Sequence, residues 1–149
     1  RNGEIRVAAL EALTEWTERY VKNKDLLMRS IKNIARHEAG WTLSVIRTEG
    51  VQHFLIVPHL ETMDVLLTKM QPELNAALVV LNTRKNLDLI VQHWGELVKY
   101  PKLAIIFANP DSNTDKRWII FPHTHEKIAE RKSLKVGLDA LFLTVEAAS

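Results

Sequence analysis

Apolar side chains recur along this chain with two different periods, and the period changes from one segment to the next. Over residues 4–20, Ile5, Ala9, Ala12, Leu13, Trp16 and Tyr20 are spaced by threes and fours, which predicts an amphipathic helix. Val21-Lys22-Asn23-Lys24 interrupts that stripe. Asp25 then suits the cap of a second helix carrying Leu27, Ile31 and Ile34 inward, with Gly40 as its stop. From Trp41 the period falls to two. Residues 41–48 and 51–57 predict a hairpin about Glu49-Gly50, and Pro58 ends its second strand.

Residues 61–75 fit either period. Met63, Leu66, Leu67 and Met70 suit a short helix, whereas 64–69 suits a strand with 71–75 as its loop; the strand is the reading taken. Ala76–Leu81 and Leu103–Ala108 are apolar on both faces and predict buried strands. Between them, Asn82 or Thr83 caps a helix with Leu87, Ile90, Val91, Trp94, Leu97 and Val98 on one side, ended by Tyr100-Pro101. Strand, helix, strand at this length predicts one right-handed βαβ crossover and a parallel pair. Residues 109–115 are loop by composition. Trp118–Phe121 predicts a strand antiparallel to its predecessor, ended by Pro122, and Ser133 caps a last helix with Leu134, Leu138, Leu141, Phe142 and Val145 inward. The fold class expected is α/β: a mixed central sheet with a hairpin or meander and helices on both faces.

Composition narrows the chemistry. The chain has 149 residues, 46% of them hydrophobic and 26% charged, the size and make-up of a single α/β domain. It opens Arg1-Asn2-Gly3-Glu4 with no starting Met or signal pattern, and is read as a fragment of a longer chain. It contains no cysteine, so disulfides, thiolate zinc sites and cysteine nucleophiles are excluded. No apolar run is long enough for a bilayer, and a cytoplasmic protein without a membrane partner is expected. No glycine-rich phosphate loop follows the first buried strand, where Leu81-Asn82-Thr83-Arg84-Lys85-Asn86 stands instead, and no Gly-x-Ser-x-Gly elbow occurs.

Charge is uneven. Residues 116–135 hold six basic side chains against Glu126 and Glu130, a net of +4 where the whole chain has +2. Lys116, Arg117, Lys127, Arg131 and Lys132 are the residues expected to track a nucleic-acid backbone, with Trp118 and Phe121 interleaved as stacking platforms or as core. His123 and His125, at i and i+2, would share one strand face and offer two metal ligands, with Asp111 or Asp115 as neighbours; a polar loop is the competing reading. The tryptophans Trp16, Trp41, Trp94 and Trp118 are expected in the core.

Met63-Asp64-Val65-Leu66-Leu67 followed by Val80-Leu81-Asn82-Thr83-Arg84 resembles the PD-(D/E)XK, or restriction-endonuclease-like, superfamily. There an Asp opens one strand, and an acidic residue, a spacer and a Lys end the next, just before the crossover helix. The resemblance implies restriction-endonuclease-like topology and places Asp64 at the first carboxylate. Asn82 stands where the second carboxylate belongs and Arg84 where the Lys belongs. A neutral amide ligates Mg²⁺ poorly and a guanidinium is never a base, so the resemblance implies a non-catalytic member that binds nucleic acid or assembles with protein, without cofactor. Two alternatives stay open: a Mg²⁺-dependent nuclease with ligands among His59, Glu61, Asp64, His123 and His125, and a plain homo-oligomeric α/β domain.

Overall fold

In Ala76–Leu81 there is no polar side chain, and successive residues alternate between two separate cores. This strand is near the centre of a six-stranded mixed sheet. The computed structural model describes residues 2–112, 117–128 and 131–148. Its elements are α1 (Asn2–Lys24), β1 (Ile31–Glu38), β2 (Trp41–Arg47), β3 (Gly50–Ile56), α2 (Asp64–Leu67), β4 (Ala76–Leu81), α3 (Arg84–Gln92), α4 (Trp94–Leu97), β5 (Ala104–Ala108), β6 (Arg117–Ile120), α5 (Pro122–Ile128) and α6 (Arg131–Leu143). Strands lie in chain order. β1, β2 and β3 form an antiparallel meander, β3–β4 and β4–β5 are parallel, and β6 is antiparallel to β5. There are therefore two crossovers rather than the one expected.

Helices cover both faces. Leu13, Trp16 and Val21 of α1 pack on Leu43, Val45, Phe54, Val79 and Ile106. The opposite face buries Leu66 of α2, Leu87 and Ile90 of α3, Trp94 of α4 and Leu138 of α6 against Leu78, Val80, Ile105 and Phe107. All four tryptophans are buried. The first turns of α1 are exposed over residues 3–8, and Ile5, expected inward, is among them.

The predicted helix over 25–40 is instead a turn and β1. Between Ile31 and Asn33 the pairing with β2 slips by one residue. That bulge puts Ile31 and Ile34, three apart, against the same core and so imitates helical spacing. Gly40 ends no helix. Ala39 (φ 53°) and Gly40 (φ 84°) form a two-residue hairpin loop between the paired Glu38 and Trp41, and φ is positive at both, as a type I′ turn requires. Residues 64–67 are helix, not strand, because Leu60, Met63, Leu66 and Met70 all drop onto one core. The helix after Thr83, whose Oγ1 accepts the Asn86 N–H, breaks at His93 into α3 and α4. Pro122 opens α5 rather than a loop, since proline suits a first helical position. Ser133 lies inside α6 and does not cap it.

Candidate nucleic-acid interface

Of the three residues aligned with the nuclease motif, two are structural. Asn82 is fully buried at the end of β4. Its Nδ2 donates to the carbonyls of Val145 (3.0 Å) and Phe142 (3.3 Å), and its Oδ1 accepts from Trp118 Nε1 at 2.8 Å. Arg84 pairs with Asp139 of α6 and lies 4.4 Å from the Phe142 ring centroid. Asp64 opens α2 and is exposed. Because 64–67 is helical, Asp64 does not open the strand the motif demands, and among the described residues no hydrogen bond or ion pair joins it to Asn82 or Arg84.

The histidine pair is likewise split in role. On α5, not on a strand face, His123 Nδ1 bonds the Val98 carbonyl at 2.8 Å and His125 meets Trp94 edge-on at 5.7 Å. Trp94 Nε1 donates to Glu126. Asp111 N–H bonds Asn109 Oδ1 in the loop after β5, and Asp115 is outside the described residues. Among the described residues no three His, Asp or Glu side chains converge as metal ligands. His59 and Glu61 do share a cleft of about 580 Å³ at the end of β3, with Arg6 and Lys85, but Glu61 is engaged by Arg6 at 3.6 Å.

Of the five basic residues expected to contact nucleic acid, Arg117 and Lys127 have described side chains. Lys116 lies outside the described residues, as do the side chains of Arg131 and Lys132. Trp118 packs into the core shared with α3, α4 and α6, so its neighbour Arg117 emerges on the opposite, α1 side of the sheet. Lys127 is on α5, whose His125 meets Trp94 of α4. Arg117 thus faces α1, whereas α5 packs on a helix of the opposite face. Trp118 is not a stacking platform either; it stacks on Phe107 inside the core at 4.0 Å. Phe121 is half exposed.

Arg117 joins a group of residues that the sequence reading missed. Trp16, Arg19, Tyr20, Asn23 and Lys24 form one stripe down the last two turns of α1, and with Arg117 they line a concave pocket of about 210 Å³. Trp16 and Tyr20 stack at 5.4 Å, nearly parallel at 4°. The Arg117 guanidinium lies 4.6 Å from the Tyr20 ring centroid and Lys24 Nζ 5.5 Å from it, distances at which a cation is held by the ring quadrupole. Cations also suit the carbonyl end of a helix. Among the described residues none of Arg19, Lys24 and Arg117 is bridged to a carboxylate. The neighbouring Glu18 is taken by Arg36 of β1, which also binds Glu11; these hydrogen bonds raise the Arg36 pKa above its ordinary value. A second cleft of about 490 Å³ shares Tyr20 and Lys24 with this pocket and adds Arg29, Arg47 and Phe121, with Asp25 and Glu49 as its acids. The signal available in sequence was the spacing of three and four that sets Arg19, Tyr20, Asn23 and Lys24 on the flank of α1 that follows Trp16.

A second overlooked pair, Ser44 and His53, faces across β2 and β3 with Oγ to Nδ1 at 3.0 Å, and Trp41 stacks on the imidazole. Burial lowers the His53 pKa. Ser44 is itself buried, which makes this a satisfied strand pair rather than an accessible nucleophile. No family model, no curated protein and no solved structure matches the chain.

Proposed function

We propose that the chain is a non-catalytic, nuclease-like domain that binds nucleic acid through the Arg19–Lys24–Arg117 pocket. The observation that carries this reading is the convergence of three cations from α1 and β6, none bridged to a carboxylate among the described residues, on a stacked Trp16–Tyr20 pair. A concave cationic site of this kind suits a phosphodiester, and binding releases the counterions that phosphate had condensed. Tyr20 already has Trp16 and Arg117 stacked against it, so the pocket recognises phosphate, not bases.

The order helix, antiparallel meander, crossover and parallel strand supports the restriction-endonuclease-like topology. In that topology β3 is the strand before the first crossover. It runs out as Ile56-Val57-Pro58-His59, with neither carboxylate nor lysine. This, together with the structural roles of Asn82 and Arg84, supports a domain that does not cut. Self-assembly through the β1 edge is disfavoured because that edge exposes Lys32, Arg36, His37 and Glu38.

The test is fluorescence anisotropy with labelled DNA across a salt series. Arg19→Glu and Arg117→Glu are each expected to weaken binding and flatten the slope of log K against log salt by about one. Supercoiled DNA incubated with Mg²⁺ is expected to stay intact. Absence of binding at low salt, or two charge reversals that leave both affinity and slope unchanged, would refute the reading.

A further inference from the structure

Between α1 and β1 the chain leaves three consecutive apolar side chains in solvent: Leu26, Leu27 and Met28 are 68%, 96% and 78% exposed. A single exposed leucine needs no explanation; a run of three at the tip of an ordered turn does. The turn is held at its base. The Asp25 carboxylate accepts from Ser30 N (2.9 Å), Ser30 Oγ (2.6 Å) and Ile31 N (2.9 Å), and Arg29 N donates to the Asp25 carbonyl at 2.8 Å. These bonds hold the Asp25 pKa below its usual value, the Ser30 hydroxyl contributing most. Arg29 adopts φ 49° to close the turn.

Cations stand on both sides of the tip. Leu26 lines one cleft with Lys22 and Arg29; its two acids are engaged, Glu18 by Arg36 and Asp25 by Ser30 and Ile31. Met28 lines another with Lys24, Arg29 and Arg47 against Asp25 and Glu49, and that cleft shares Tyr20 and Lys24 with the Arg19–Lys24–Arg117 pocket. A partner that fits must offer anions on two flanks and an apolar slot between them. Duplex nucleic acid does so: phosphates line both sides of a groove, and a base step can open to a Leu or Met wedge. We propose that Leu26-Leu27-Met28 is an apolar wedge that inserts at a base step of duplex DNA or RNA held by the cationic pocket. This rests on the nucleic-acid reading and deepens it. A second copy of the chain fits badly, because it would bring the same cations face to face. A lipid surface is plane, whereas these cations lie in concave clefts, and three side chains supply little of the apolar area that an interfacial anchor buries.

The experiment uses the intact chain with short DNA duplexes carrying 2-aminopurine at successive positions, read by anisotropy and by 2-aminopurine fluorescence. Leu27→Ser and the double change Leu26→Ser with Met28→Ser alter only exposed side chains, and circular dichroism confirms that they fold. The wild-type chain is expected to raise the fluorescence at one base step, which reports unstacking. Both wedge variants are expected to lose that rise and to bind roughly tenfold more weakly, with the salt slope unchanged. Arg117→Glu should instead change the slope. Wild-type affinity without a fluorescence rise at any position would overturn the wedge and leave the pocket standing. So would wedge variants that bind and unstack like the wild type. Variants that lose only binding to phosphatidylserine vesicles assign the tip to lipid and overturn it too. If the wild-type chain binds no nucleic acid, the pocket reading falls with it.

Discussion

Replacing Asn82 by Asp puts a carboxylate at the position that the sequence resemblance aligned with one, and the buried surroundings of Asn82 make this destabilising rather than activating. Asn82 is fully buried. Its amide donates to the Val145 and Phe142 carbonyls, and its oxygen accepts from the Trp118 indole. Aspartate keeps only the last of these. Two donated bonds, each worth about 1 kcal/mol, are lost, and a carboxylate then faces two carbonyl dipoles of the same sign. An unpaired buried charge costs about 3–5 kcal/mol, of which a charge-assisted bond from Trp118 recovers about 1. The net loss at neutral pH is therefore about 4–6 kcal/mol, a large share of the ~5–15 kcal/mol that holds a domain together. The sign with pH follows. A carboxyl whose pKa is raised in the folded state is least unfavourable when protonated, so the penalty is greatest above the folded pKa and shrinks toward pH 4. Urea titrations of Asn82→Asp and Asn82→Ala at pH 7 and pH 5 measure this. The Asp variant should be the weaker at pH 7 and should close the gap at pH 5. An Asn82→Asp chain that unfolds like the wild type at pH 7, or whose melting temperature climbs with added Mn²⁺, would refute the structural role assigned to this amide.

Other outcomes are expected on the same grounds. Because burial lowers the His53 pKa, the unfolded chain binds the extra proton first, and stability should fall as pH drops below about 6.5; His53→Gln should flatten denaturation midpoints between pH 7 and pH 5. Gly40→Ala should cost about 1 kcal/mol by urea titration, since φ is 84° and the new Cβ would lie 2.8 Å from Lys69 Nζ, which can move aside. Gly137→Ala, inside α6 with nothing within 4 Å of a Cβ, should gain roughly 0.5–1 kcal/mol in the same assay. Lys127→Glu should leave DNA affinity within about twofold of the wild type, because it lies on α5, which packs on a helix of the face opposite Arg117; a loss matching that of Arg117→Glu would restore the continuous basic patch.

The elements that were legible in sequence are those whose burial and period agree. Ala76–Leu81 and Leu103–Ala108 are apolar on both faces and became β4 and β5, the parallel pair. The hairpin of β2 and β3 was legible from Gly50 and alternation. Illegible elements were those where a local irregularity altered the count. The bulge at Ile31 made an edge strand look helical, and the Ala39-Gly40 turn looked like a helix stop because glycine serves both. Met63, Leu66 and Met70 fitted two periods, and only packing decided between them. Placing β1 before the hairpin shifted the antiparallel meander by one strand, so the strand expected over 64–69 is the short helix α2 instead.

The cationic pocket was hidden for a different reason. Charge was summed over a window of sequence, but a sheet has two sides, and adjacent residues of a strand face opposite ways. Trp118 enters the core of α3, α4 and α6, so Arg117 must leave toward α1, away from Lys127 on α5. Its partners, Arg19 and Lys24, are more than ninety residues away in sequence. What draws them together is Tyr20, stacked beneath Arg117 on the flank of α1 beside the buried Val21. The recognisable sign in such a sequence is an amphipathic helix whose apolar face is flanked by aromatic and cationic residues at spacing three and four in its last turns. Any cation on the facing side of a neighbouring strand is then brought to the same place.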